Sequence, residues 1–276
     1  MKSERAPNAP VNQLARKVRN RMNFVGIDVG TGGTRSIIID ERGCIIASAT
    51  AEHEPFASPQ TGWAEQHPAD WWRAAGEAVR QALAQSGVGG ESIGAVGFSG
   101  QMHGSVLLDE RDEVLRPALL WCDQRTHQEC RAITEQVGAA RLIELTSNPA
   151  LTGFTLPKLI WVRNHEPEIW RRVRTVLLPK DYVRFRLTGE RATDVADASG
   201  TLMFDVAHRR WSREVLDAMA IDERWLARAF ESPEVTGRVS AAGSAATGLK
   251  KERRSSPAPA IKPPGRSAWA SRGPAR

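Results

Sequence analysis

From Met22 onward, short apolar runs alternate with polar turns, and the earliest runs predict strands. Asn23–Asp28, Arg35–Asp40 and Cys44–Ala51 are joined by glycine-containing turns, the pattern of an antiparallel meander. The period then changes. Between Pro68 and about Gln85, Trp71, Ala74, Ala75, Ala78, Val79 and Ala82 recur at helical spacing. Pro68 suits a first helical turn, and Asp70 complements the positive end of the helix dipole. Ile93–Ser99 and Ser105–Asp109 read as further strands, with a polar turn at Glu110–Glu113 before Val114–Leu115. Helices are expected over Gln124–Val137, roughly Leu156–Asn164, and Asp181–Leu187, with a short buried strand at Thr175–Leu178. Ser212 caps a helix reaching about Met219, and Asp222 is expected to start another. Strands interleaved with helices define an α/β architecture, without internal repeats.

Composition narrows the class. At 276 residues with 41% apolar and 25% charged positions, the chain has the balance of a folded globular protein. No apolar run reaches the ~18 residues of a membrane helix, and the N-terminus carries no apolar signal-type stretch. Three cysteines, Cys44, Cys122 and Cys130, form an odd set without metal-type spacing. That pattern predicts a reducing, cytoplasmic setting with neither disulfides nor zinc.

The formal charge of +6 misleads until it is divided. Residues 1–21 carry six Lys/Arg against one Glu, and residues 250–276 carry eight against one, so residues 22–249 have a net charge of −6. Both basic stretches lack hydrophobic periodicity and read as a disordered lead and a disordered tail. The first is also consistent with a start codon placed upstream of Met22. A nucleic-acid surface should be basic on a folded face, so nucleic acid is not an expected partner.

Candidate chemistry gathers in a few segments. Gly26-Ile27-Asp28-Val29-Gly30-Thr31-Gly32-Gly33-Thr34 delivers an acid from a strand into a turn that is half glycine. Gly30, Gly32 and Gly33 let backbone N–H groups converge on an anion, with the hydroxyls of Thr31 and Thr34 as further donors. Asp28 is then a candidate ligand for Mg²⁺ accompanying nucleotide phosphates. A plain glycine-rich hairpin with a surface Asp would read the same way. Ser99-Gly100-Gln101-Met102-His103-Gly104 follows a strand, where ligands bind in α/β sheets. Gln101 and His103 can bond hydroxyls, and Met102 can pack on a carbon skeleton. In Trp121-Cys122-Asp123-Gln124-Arg125, Trp121 can stack on a sugar while Asp123 and Arg125 bind hydroxyls; Asp123 also reads as a helix N-cap. Trp63-Ala64-Glu65-Gln66-His67-Pro68 leads into the first long helix. Asp194-Val195-Ala196-Asp197-Ala198-Ser199-Gly200-Thr201 pairs two acids and reads better as a capping loop than as acid/base machinery.

Jointly these segments resemble the FGGY carbohydrate kinases. The resemblance rests on Gly26–Thr31 (GIDVGT), Trp63–Gln66 (WAEQ), Trp71-Trp72, Gly100–Gly104 (GQMHG), Trp121–Arg125 (WCDQR), Pro157-Lys158-Leu159 and Leu178–Tyr182 (LPKDY), and runs from about Met22 to Leu249. It implies an actin-like (ribonuclease H-like) N-terminal, sugar-binding domain over 22–249. It implies ATP and Mg²⁺ as cosubstrates and phosphoryl transfer to the terminal hydroxyl of D-xylulose, since GQMHG differs from the polar pair of glycerol kinases. It further implies that Asp28 is the acid at the phosphate turn and that Met102 and His103 bind the sugar. Another ketose or polyol, or a non-catalytic sugar-binding or actin-like module, stays open as an alternative, as does a homodimer.

One departure stands out. The family's proton-accepting Asp lies in a GGGDxAAGAVG segment opening a second domain, and that segment is absent from this sequence. Back-translated with GC-rich codons and read from the last base of Lys251, the tail gives GTPVVAGAGDQAAGAVG. The tail is therefore expected to be an out-of-frame reading, and the chain an inactive part of a longer kinase.

Overall fold

A computed structural model describes residues 22–251. The lead at 1–21 and all of the tail beyond Lys251 lie outside the described residues.

The expected meander forms. Strands β1 (Asn23–Val29), β2 (Gly33–Asp40) and β3 (Ile45–Glu52) pair antiparallel in sequence order, with Asp28 opposite Arg35. Alternation sets the faces: Val25, Ile27 and Val29 point into the core, while Asp28 points out. At the β2–β3 turn the Asp40 carboxylate accepts from the Arg42 and Cys44 amides at 2.9 and 3.0 Å, and Gly43 adopts φ +82°. β4 (Glu65–Gln66) then leads into helix α1 (Pro68–Ser86). α1 is capped by the His67 side chain, has Pro68 in its first turn and ends at left-handed Gly87. Its face of Trp71, Ala75, Val79 and Ala82 closes the core over the sheet.

β5 (Ile93–Gly100) joins the other side of β1, parallel to it, giving the order β3-β2-β1-β5. The register sets Asp28 beside Ser99 and Val29 beside Gly100. Both strands therefore end at the same sheet edge, where the turn Gly30–Gly33 and the loop 101–104 emerge together. Among the described residues β5 is one edge of this sheet and β3 the other.

A second apolar cluster lies beyond this sheet. It is built from β6 (Val106–Leu108), β7 (Ala118–Leu119), α2 (His127–Val137), α3 (Ala139–Thr146), α4 (Thr155–His165), α5 (Pro167–Arg172) and β8 (Thr175–Leu177), together with residues around Leu202–Ile221. Next come α6 (Pro179–Thr188), β9 (Ala192–Asp194) and the single-turn helix α7 (Val195–Ser199).

Several boundaries differ from expectation. α2 starts at His127 rather than Gln124, because the preceding residues form an ion-paired turn. α6 starts at Pro179, two residues early, since proline tolerates that position. Asp222 starts only a 3₁₀ turn, Glu223–Trp225. Its carboxylate takes the Arg224 amide and guanidinium, and the chain then extends to pair Arg228–Phe230 with β9. After the expected turn at Glu110–Glu113, Val114 makes one antiparallel bridge to Leu108.

Candidate functional site

Four loops meet where β1 and β5 end. Ser99 Oγ donates to Asp28 Oδ1 at 2.7 Å. The Gln101 amide donates to Val29 O at 2.8 Å, and Gln101 Nε2 donates to Gly30 O at 3.3 Å. Trp121 Nε1 donates to Thr31 Oγ1 at 3.0 Å. Gln66 reaches the same turn from β4: its Nε2 donates to Glu54 O at 2.8 Å and Thr31 O at 3.3 Å, while its Oε1 accepts from Trp71 Nε1 at 2.7 Å. The WAEQ segment therefore braces the glycine turn.

The turn itself is tighter than expected. The Gly30 amide donates to Gly33 O at 3.0 Å, so it is committed within the turn. Thr34 is fully buried with its hydroxyl on His53 Nε2 at 2.9 Å, which removes it from the expected set of ligand donors. Asp28 and Gly32 stay exposed, and Thr31 and Gly33 are half-buried.

The loop 101–104 divides its roles. Met102 is half exposed at 51%. His103 holds φ +64°, a strained setting for a non-glycine residue of the kind that clusters at functional sites. Its ring Nδ1 lies 2.7 Å from Gly200 O and its edge meets the Phe154 ring at 4.8 Å. Its own carbonyl accepts from Lys158 Nζ at 2.9 Å and Thr155 Oγ1 at 3.2 Å. Burial pushes the His103 pKa down. A carbonyl only accepts, so Nδ1 carries the proton and the neutral ring leaves Nε2 bare. Gln101 Oε1 is a buried acceptor without a partner among the described residues.

Two expected hydroxyl binders are used otherwise. Asp123 is fully buried: it accepts from the Ala64 amide at 2.6 Å and pairs with Arg125. It is not the N-cap either, a position held by Thr126. The Arg125 guanidinium lies 3.6 Å over the Trp63 ring and bonds Glu65 at 2.7 Å; Glu65 also takes Arg116 at 2.7 Å. Asp123 and Arg125 thus build the support under Trp121, which stays 49% exposed.

Residues missed by sequence reasoning stand behind His103. Lys180 is buried and lies 2.9 Å from Asp181, 2.8 Å from Asp194 and 2.9 Å from Asp197. Asp194 caps α7 as expected, but Asp197 faces Lys180. Lys158 is deeply buried against carbonyls, and burial pulls its pKa down to about 7. A cleft of about 980 Å³ lined by Arg141, His208 and Trp211 shares no residue with these loops. Among the described residues no cluster of three or more His, Cys, Asp or Glu could hold a metal, and no helix is long and apolar enough to cross a membrane. The three cysteines are free thiols.

An actin-like sheet carrying a glycine turn and a polar loop at adjacent strand ends defines a sugar-kinase type of domain. Residues 23–253 match the N-terminal domain of the FGGY family of carbohydrate kinases, and the chain belongs to that family. It is 44% identical over 214 residues to the xylulose kinase of Escherichia coli K12, covering 78% of this chain and 43% of that protein. It is 43% identical over 222 residues to the xylulose kinase of Lactococcus lactis, covering 80% and 44%. The xylulose kinase structure from Rhodospirillum rubrum superposes with a TM-score of 0.79 at 28% identity, covering 83% of this chain and 47% of that one. The chain spans less than half the length of these relatives.

Proposed function

We propose that this chain is the sugar-binding half of an ATP-dependent kinase that phosphorylates D-xylulose to D-xylulose 5-phosphate. The observation carrying the reading is the hydrogen-bonded convergence of the Asp28 turn, the Gln101–His103 loop and Trp121 at one sheet edge. Met102 and Trp121 offer apolar faces to the carbon skeleton, and His103 and Gln101 offer acceptors to hydroxyls. Alignment of hydroxyl and phosphate is most of what phosphoryl transfer demands of a protein. Asp123 serves this site from beneath, by fixing the loop of Trp121.

Asp28 would hold Mg²⁺. A single exposed carboxylate with one oxygen on Ser99 suits an ion bound mainly by phosphate and water, and Mg²⁺ would neutralise phosphate charge there. Gly30–Gly33 would border the phosphates of ATP. The proton acceptor implied by the family lies on a glycine-rich Asp segment that this sequence does not contain. The residues of this chain would supply the sugar-binding part of the reaction, in the cytoplasm, where the thiols stay reduced.

Calorimetry of the chain with D-xylulose, beside an ADP-release assay, tests this reading. Saturable heat with D-xylulose, whether or not ADP is released, supports it; absence of heat with D-xylulose overturns it. Tighter binding of another ketose or a polyol in a substrate panel moves the assignment within the family.

A further inference from the structure

Three segments that the chain keeps far apart form one assembly behind His103. The α6 start packs against the strand-end loop: a Cβ on Gly100 would stand 3.2 Å from Lys180 Cβ and 2.9 Å from Val29 O. Lys180 then reaches α7 by ion pairs to Asp194 and Asp197, one at each side of its first turn. The other Asp194 oxygen accepts the Ala196 and Asp197 amides at 2.9 and 3.1 Å, so the same side chain caps α7 and anchors it. α7 ends at Gly200, whose carbonyl accepts from His103 Nδ1. Any Cβ on Gly200 would collide with His103 Cε1, so ring and backbone are in direct register.

A helix of five residues has little stability of its own. Its position is set by what holds it, and the buried ammonium between two of its carboxylates is the strongest such group. We propose that Lys180 is a positioning residue for His103: through Asp194 and Asp197 it fixes the Gly200 carbonyl, which holds the ring as the Nδ1–H tautomer with Nε2 as an acceptor for a sugar hydroxyl. The value of this to sugar binding rests on the proposed function above; the tautomer itself does not.

Two-bond proton–nitrogen NMR of the His103 ring in the whole chain reads the tautomer without sugar. The unsubstituted chain is expected to show Nδ1–H alone. Lys180→Met is expected to show mixed or Nε2–H character, with D-xylulose affinity at least tenfold weaker. A folded Lys180→Met chain that keeps the Nδ1–H pattern overturns the proposal. Asp197→Asn, which preserves volume and removes one ion pair, is the companion should Lys180→Met not fold. A partial shift of the tautomer there supports the proposal, and an unchanged ring overturns it. Val215→Ala, in the second core cluster, controls for general loosening: an equal tautomer shift in that variant also overturns the role of Lys180. Failure of the unsubstituted chain to bind D-xylulose counts against the sugar reading alone.

Discussion

Trp121 Nε1 donates to Thr31 Oγ1 at 3.0 Å, joining two loops that lie 90 residues apart in sequence. The indole is half exposed, so its removal opens no core cavity. Trp121→Ala should weaken D-xylulose binding by about tenfold or more, in line with the ~1–3 kcal/mol of a lost aromatic contact and hydrogen bond. Trp121→Phe, which keeps a ring and loses the donor, should fall between. Calorimetry supplies the affinities, and an unchanged thermal midpoint would confirm that the fold is intact.

Glu65 holds two buried guanidiniums, those of Arg116 and Arg125. Removing it takes one of two carboxylates from each, since Glu166 still pairs with Arg116 and Asp123 with Arg125. Glu65→Ala should cost about 1–3 kcal/mol, less than the ~3–5 kcal/mol of a buried charge left with no partner. Urea denaturation measures it; a loss under about 1 kcal/mol would mean water already screens the network.

Stability should depend on pH at both ends. His53 and His103 are held below the ordinary value of 6.5, chiefly by burial. Each binds its proton more tightly in the unfolded chain, so this stability is complete above about pH 6.5 and is lost as pH falls below it. The slope is at most about 1.4 kcal/mol per pH unit per histidine. Lys158, at about 7 when folded and 10.5 otherwise, acts in the next window: the folded chain sheds its proton first, so stability rises from pH 7 toward 8.5. Denaturation curves from pH 5 to 8.5 test both limbs, and Lys158→Met should flatten the upper one.

The frame expectation has a direct test. Sequencing the locus around codon 250 should show the coding strand continuing, read one base back from the frame of this sequence, into a glycine-rich segment with an Asp and then a second kinase domain. A downstream frame without such a domain ends that idea.

How much of this was legible depended on how local each cause is. β1 to β3 and α1 follow from residues alternating or recurring within a few positions, and their limits were read to within a few residues. The glycine turn and the 101–104 loop were visible because glycine and polar residues follow apolar strands directly. Asp123 was not, since an acid after Trp-Cys has no signature separating a solvent-facing ligand from a buried partner of an amide 59 positions away. Lys180 stayed hidden for the same reason: two of its three carboxylates lie 14 and 17 residues on and meet it only after α6, β9 and α7 have folded. Asp222 misled because an N-cap signal states where a helix can begin, not whether tertiary pairing lets it continue.

The outer flank of β5 carries a wider consequence. The strand reads IGAVGFSG, with three glycines and no charge, and β1 covers only one of its sides. Natural sheets guard such borders with lysine, proline or a bulge. Here one register irregularity at Gly94 interrupts the start of the strand, and the uncovered row of amides beyond it is adhesive toward any extended polypeptide, itself included. Soluble yield should therefore drop steeply as the concentration of the chain climbs, and quality-control proteases would meet this chain sooner than one whose border is sealed.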